Sequence, residues 1–95
     1  MQIEPHEVEI RGSWHSISGS VVADSVSRRI DALIRNHLKY LGRDVSGWDV
    51  LYIDPDDGRL WELTCPEPEM HGGGPPLLRH VTDEQAHQKY RYTPA

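Results

Sequence analysis

The chain has 95 residues, 10 basic and 15 acidic side chains, and a formal net charge of −5. That length makes a single domain over 1–95 with a modest core, and a shallow surface ill suited to chemistry that needs a deep pocket. The negative balance argues against a nucleic-acid partner, the lack of any apolar run of roughly 20 residues against a membrane span, and the lone Cys65 against an internal disulfide.

Residues 1–10 carry acids and no basic stretch, so they do not read as a secretory leader, and a cytoplasmic location is expected. Ile3, Val8 and Ile10 alternate weakly, which suits a loose lead-in or an edge strand, and Trp14–Ile17 can add a short strand. The clearest periodicity spans 21–41: Val22, Ala23, Val26, Ile30, Leu33, Ile34, His37, Leu38 and Leu41 recur on one face at helical spacing. This predicts one long helix over about 21–41, capped by Ser18 or Ser20 and ended by Gly42. His37 falls within the apolar stripe and is read as a packed residue rather than a ligand.

Residues 48–65 predict a β-hairpin turning at Pro55-Asp56-Asp57-Gly58. Pro55 presets the backbone, and Gly58 supplies a positive φ. Pairing Asp54 with Arg59 sets Tyr52 opposite Trp61, Val50 opposite Leu63 and Trp48 opposite Cys65. Trp48, Val50, Tyr52, Trp61 and Leu63 then form an apolar strip expected to pack on the helix. The other face carries Leu51, Ile53 and Leu60 beside Asp49, Glu62 and Thr64, and being half apolar it invites partial cover. Pro66 and Pro68 stop the pairing. Gly72, Gly73, Gly74, Pro75 and Pro76 make an irregular loop, and Leu77–Val81 is apolar enough for another strand. Thr82 and Gln85 form a capping box that opens a short helix over about 83–90, and both 91–95 and the 1–10 lead-in are read as loose ends.

The acids cluster. Between 44 and 69 stand Asp44, Asp49, Asp54, Asp56, Asp57, Glu62, Glu67 and Glu69 against Arg59 alone. Such a surface would steer a basic protein toward itself. Catalytic motifs fare worse. His71-Gly72-Gly73-Gly74 looks like an esterase oxyanion loop, but no Gly-x-Ser-x-Gly elbow accompanies it. The glycines lack the helix start or the Lys-Ser/Thr that a phosphate cradle needs. No Cys-x-x-Cys or His-x-x-x-His spacing occurs, so neither a structural metal nor a cofactor is expected. Cys65 could pair with His71 as a nucleophile, but it sits at the end of an apolar strand face, where a packed thiol is the simpler reading.

The run Ser46-Gly47-Trp48, Leu51-Tyr52, Asp54-Pro55, Asp57-Gly58, Trp61-Glu62-Leu63-Thr64, Pro66, Glu69 and His71-Gly72-Gly73-Gly74-Pro75-Pro76-Leu77 resembles the immunity protein 27 family. These are small bacterial proteins encoded beside toxins of polymorphic toxin systems. The resemblance implies a cytoplasmic antitoxin that binds and neutralises a cognate toxin, without catalysis. It leaves the toxin's activity open and carries over no catalytic residue.

The expected fold is therefore α+β: a small antiparallel sheet of three to five strands with the long helix on one face and a short C-terminal helix. The expected function is stoichiometric toxin neutralisation, with the acids motivating a basic target such as a nuclease. Asp49, Asp56, Asp57, Glu67, Glu69 and His71 are the candidate partner contacts. Trp48, Tyr52, Gly58, Trp61 and the Gly72–Pro76 loop are read as the structural motif. Two rival readings stand beside this one. The first is a small enzyme or ligand-binding protein with a site at Cys65, Glu67, Glu69, His71 and the glycine loop. The second is a homodimer joined through an exposed sheet edge.

Overall fold

The computed structural model describes residues 3–12, 14–17, 20–23, 25–65 and 75–93. In chain order these form β1 (Glu9–Arg11), β2 (Trp14–Ile17), β3 (Ser20–Ala23), α1 (Ser25–Asn36), β4 (Lys39–Arg43), β5 (Val50–Ile53), β6 (Leu60–Thr64), β7 (Leu77–Val81) and α2 (Asp83–Tyr90). An antiparallel five-stranded sheet of order β1-β7-β6-β5-β4 is accompanied by the two-stranded β2–β3 ribbon. The architecture is α+β, with α1 on one face of the sheet and α2 on the other.

The β5–β6 register follows from its turn. Gly58 adopts φ 78°. Its N–H donates to Asp54 O at 2.8 Å, and the Asp54 N–H donates to Arg59 O at 2.9 Å. The ladder then sets Tyr52 against Trp61 and Val50 against Leu63, as the sequence predicts. Because side chains alternate across a strand, the sheet has two apolar faces. On one, Val50, Tyr52, Trp61 and Leu78 pack with Ile10, Leu38 and the α1 residues Ile30 and Leu33. On the other, Leu51, Leu60 and Val81 pack under Ala86 of α2, with Ile53, Tyr90 and Tyr92 around them. Thr82 and Gln85 close the capping box that starts α2, and Arg91 ends it in the left-handed conformation at φ 57°.

The helix is shorter than its sequence pattern. Instead of spanning 21–41, α1 has 12 residues, with strands on either side of it. Ser20 lies in β3 rather than at a cap, and Gly42 lies in β4 rather than past a helix end. The helix stops where the His37 and Leu38 N–H groups both donate to Leu33 O, at 3.0 and 2.7 Å, and Leu38 turns back into the core. Short apolar runs satisfy helical and extended spacing alike, and tertiary pairing decides between them.

Residues 3–11 are tied to the hairpin. The Arg59 guanidinium donates to Glu7 O at 2.7 Å and Glu4 O at 3.0 Å, and it lies 5.0 Å from the centre of the Trp61 ring. Arg29 of α1 grips the Glu7 carboxylate through two hydrogen bonds of 2.7 Å. Ile3 and Ile10 are buried.

Candidate functional site

Three clusters of polar or exposed residues stand out, and each arises from a connection in the fold. The first is the end of the β5–β6 hairpin. Asp54 closes β5 and is 1% exposed. Its Oδ1 accepts the Asp56 N–H at 2.9 Å, and His37, just past α1, brings Nε2 to 3.0 Å from the same oxygen. Asp56 Oδ2 lies 3.5 Å from that ring nitrogen while its side chain remains largely exposed. Asp57 works inside the turn, accepting the Arg59 N–H at 2.9 Å and pairing with Arg59 Nε at 2.8 Å.

The second cluster lies beneath α2. Glu62 faces Arg79 directly across the β6–β7 ladder and is 1% exposed. Arg79 Nε, Lys89 Nζ and Tyr90 Oη all reach its carboxylate at 2.7 Å. Lys89 also holds Asp49 at 2.8 Å. Burial alone would push the Glu62 carboxyl up, but the bonds from Lys89, Tyr90 and Arg79 outweigh it and hold the group below the usual carboxylate range. Burial, and then the hydrogen bond to Glu62, push the Tyr90 phenol upward, so it stays a donor.

The third cluster is the β4–β5 connection. Asp44 Oδ1 accepts hydrogen bonds from Ser46 Oγ at 2.7 Å, Gly47 N at 3.0 Å and Asp49 N at 3.3 Å, and Gly47 adopts φ 80°. This tight turn ends the hairpin pairing at Val50 and projects Trp48 outward, 79% exposed. The expectation that Trp48 faces Cys65 within the core strip is therefore wrong; Asp44 captures the backbone that such a strand extension would need. Val45 beside it is 94% exposed, and Tyr40 and Leu41 of β4 are exposed as well. Trp48 forms one wall of an open groove whose other residues include Cys65, Leu77, Arg79 and Lys89.

Of the candidate contacts read from the sequence, Asp56 and Asp57 come together at the hairpin end, while Asp49 is bound to Lys89 on the α2 side. Glu67, Glu69, His71 and Gly72 to Gly74 lie outside the described residues. Asp49, Asp54, Asp57 and Glu62 each meet an internal partner, so the acidic stretch is in good part internal bonding rather than free surface. Cys65 is exposed at the end of β6 rather than packed as its place on the strand face suggested, and partial desolvation with the Asp49 charge pushes its thiol up, the reverse of what an activated nucleophile needs. The Glu62 network was not foreseen. Its sequence signal was an acid placed between Trp61 and Leu63 on the face that needed cover.

The family model described as immunity protein 27 matches residues 16–82. No curated protein and no solved structure matches the chain. No helix among the described residues is long and apolar enough to cross a membrane.

Proposed function

We infer, from a chain that belongs to the immunity protein 27 family, that it neutralises a cognate toxin by binding it stoichiometrically, without catalysis, in the cytoplasm. Family membership supports this reading, and Trp48 is its proposed anchor. Folding of a domain of this size gains little from an indole that is 79% exposed. Exposed tryptophans held on rigid turns are the side chains that dominate binding energy when a partner desolvates them. The Asp44-stapled turn supplies that rigidity, and Val45 on the same turn is 94% exposed as well.

The finer reading is a basic target, a nuclease domain of a polymorphic toxin system, steered by the acids. Asp56, with its carboxylate in solvent, and Glu67 and Glu69 are the proposed steering charges, with Asp49, Asp57 and His71 at the margin of the contact. Rim charges of this kind act on the association rate more than on the lifetime of the complex.

The test is co-purification with the toxin domain encoded beside its gene. A 1:1 complex that Trp48→Ala weakens by about 2 kcal/mol or more supports the reading. A complex indifferent to Trp48→Ala removes the proposed anchor, and no complex with that domain removes the function.

A further inference from the structure

Independently of any toxin, we propose that His37, Asp54 and Asp56 bind a divalent first-row transition-metal ion of the zinc or cobalt type. Two carboxylates converge on one imidazole nitrogen: Nε2 of His37 is 3.0 Å from Asp54 Oδ1 and 3.5 Å from Asp56 Oδ2. A ring nitrogen carries at most one proton and can satisfy only one of these acceptors well. All three residues can offer a ligand atom within 4.8 Å of the others. Donors held roughly 2.1 Å from a common ion, at tetrahedral or octahedral angles, lie roughly 3.0–3.4 Å from one another. The two measured separations are of that size.

Charge points the same way. The Asp54 side chain is 2% exposed, and among the described residues His37 is the only basic side chain paired with it. Two carboxylates and one imidazole meet here, and a bound cation would offset the cost of keeping the Asp54 carboxylate away from water. One Asp54 oxygen is engaged by the Asp56 N–H and by His37, whereas no described residue donates to the other. One nitrogen and two oxygen donors suit zinc, cobalt or manganese. They are too few and too nitrogen-rich for a calcium cage. The ion would join the end of α1 to the tip of the β5–β6 hairpin, two elements that His37 already links. Three protein ligands leave a further position for water.

The experiment is calorimetric titration of the full chain with zinc chloride, paralleled by cobalt(II) absorption spectra. It compares the unaltered protein with Asp56→Asn, His37→Gln and a Cys65→Ser control. Asp56 is the discriminating variant, because its side chain is exposed and only its backbone N–H serves the turn. One saturable site, weakened about tenfold or more by Asp56→Asn and His37→Gln but unchanged by Cys65→Ser, is the expected result. An absence of saturable binding at millimolar metal overturns the proposal. So does binding that Asp56→Asn leaves unchanged, which would place the ion on another histidine or on the thiol.

Discussion

Tyr90 Oη donates a 2.7 Å hydrogen bond to Oε2 of Glu62, and through it the last turn of α2 is fastened to the middle of the sheet. Lys89 and Arg79 complete the set around the same carboxylate. Glu62→Ala leaves these cations and the phenol without their shared acceptor. Both cations are partly exposed and can rehydrate, so the expected loss is about 2–3 kcal/mol, at or below the low end for a broken buried pair. Tyr90→Phe removes one charge-assisted bond and should cost about 1.5 kcal/mol. Urea denaturation of both variants measures this. Equal and negligible losses would show that α2 is held by Ala86 and its apolar neighbours alone.

Acid should loosen the N-terminal segment. The two bonds from Arg29 hold the Glu7 carboxyl at about 2, down from 4.5. A carboxylate whose folded value is depressed contributes its full stability above the unfolded value and loses it as pH falls through the folded one. The Glu7 contribution is therefore complete above about 4.5 and fades toward about 2. Glu62, depressed as well, works in the same direction. Stability measured from neutral pH downward should fall below about 4.5, and Glu7→Gln should flatten that slope.

The two tryptophans Trp48 and Trp61 should behave oppositely. Trp61 is 0% exposed, and Trp61→Ala should cost about 3–5 kcal/mol. Trp48→Ala should change stability by no more than about 0.5 kcal/mol, because its indole touches mostly water. Thermal melts distinguish the two directly.

Gly12 allows a close crossing of chain segments. A Cβ there would collide with Ser27 Oγ of α1 and sit 3.2 Å from both Pro76 Cδ and Pro76 O. The Gly12 N–H meanwhile donates to Pro76 O at 2.9 Å, so the backbone cannot simply withdraw. Gly12→Ala should cost about 1–3 kcal/mol in the same denaturation assay.

The β4 edge should resist self-association. Its ladder to β5 is bulged between Tyr40 and Gly42, and an antiparallel copy centred on Leu41 would set Lys39 against Arg43. Bulges and facing like charges both disfavour edge pairing. Light scattering should give the mass of one chain, and Lys39→Glu should raise any tendency to dimerise by making that pair complementary.

What was legible in the sequence was chiefly local chemistry. Pro55 to Gly58 fixed the hairpin register, so Tyr52, Val50 and Trp61 fall where their spacing placed them. Thr82 and Gln85 announced α2 for the same reason. The ends of α1 were hidden because Val22, Ala23 and Leu41 continue the helical stripe by spacing while lying in strands. Trp48 was misplaced because its side chain suits a core and nothing in its own chemistry reveals the turn that Asp44 builds. Glu62 read as surface charge because its partners Lys89 and Tyr90 lie 27 and 28 residues along the chain. The meeting of His37 with Asp54 and Asp56 was hidden likewise, since it depends on how α1 docks beside the hairpin.

Neutralisation by one-to-one binding is tested most directly by a titration of toxin activity. With a cognate toxin domain held well above its dissociation constant, residual activity should fall linearly and reach zero at one equivalent of this chain. Complete loss at a small fraction of an equivalent would mean turnover, and undiminished activity at large excess would mean no neutralisation. Either result would rule out stoichiometric neutralisation.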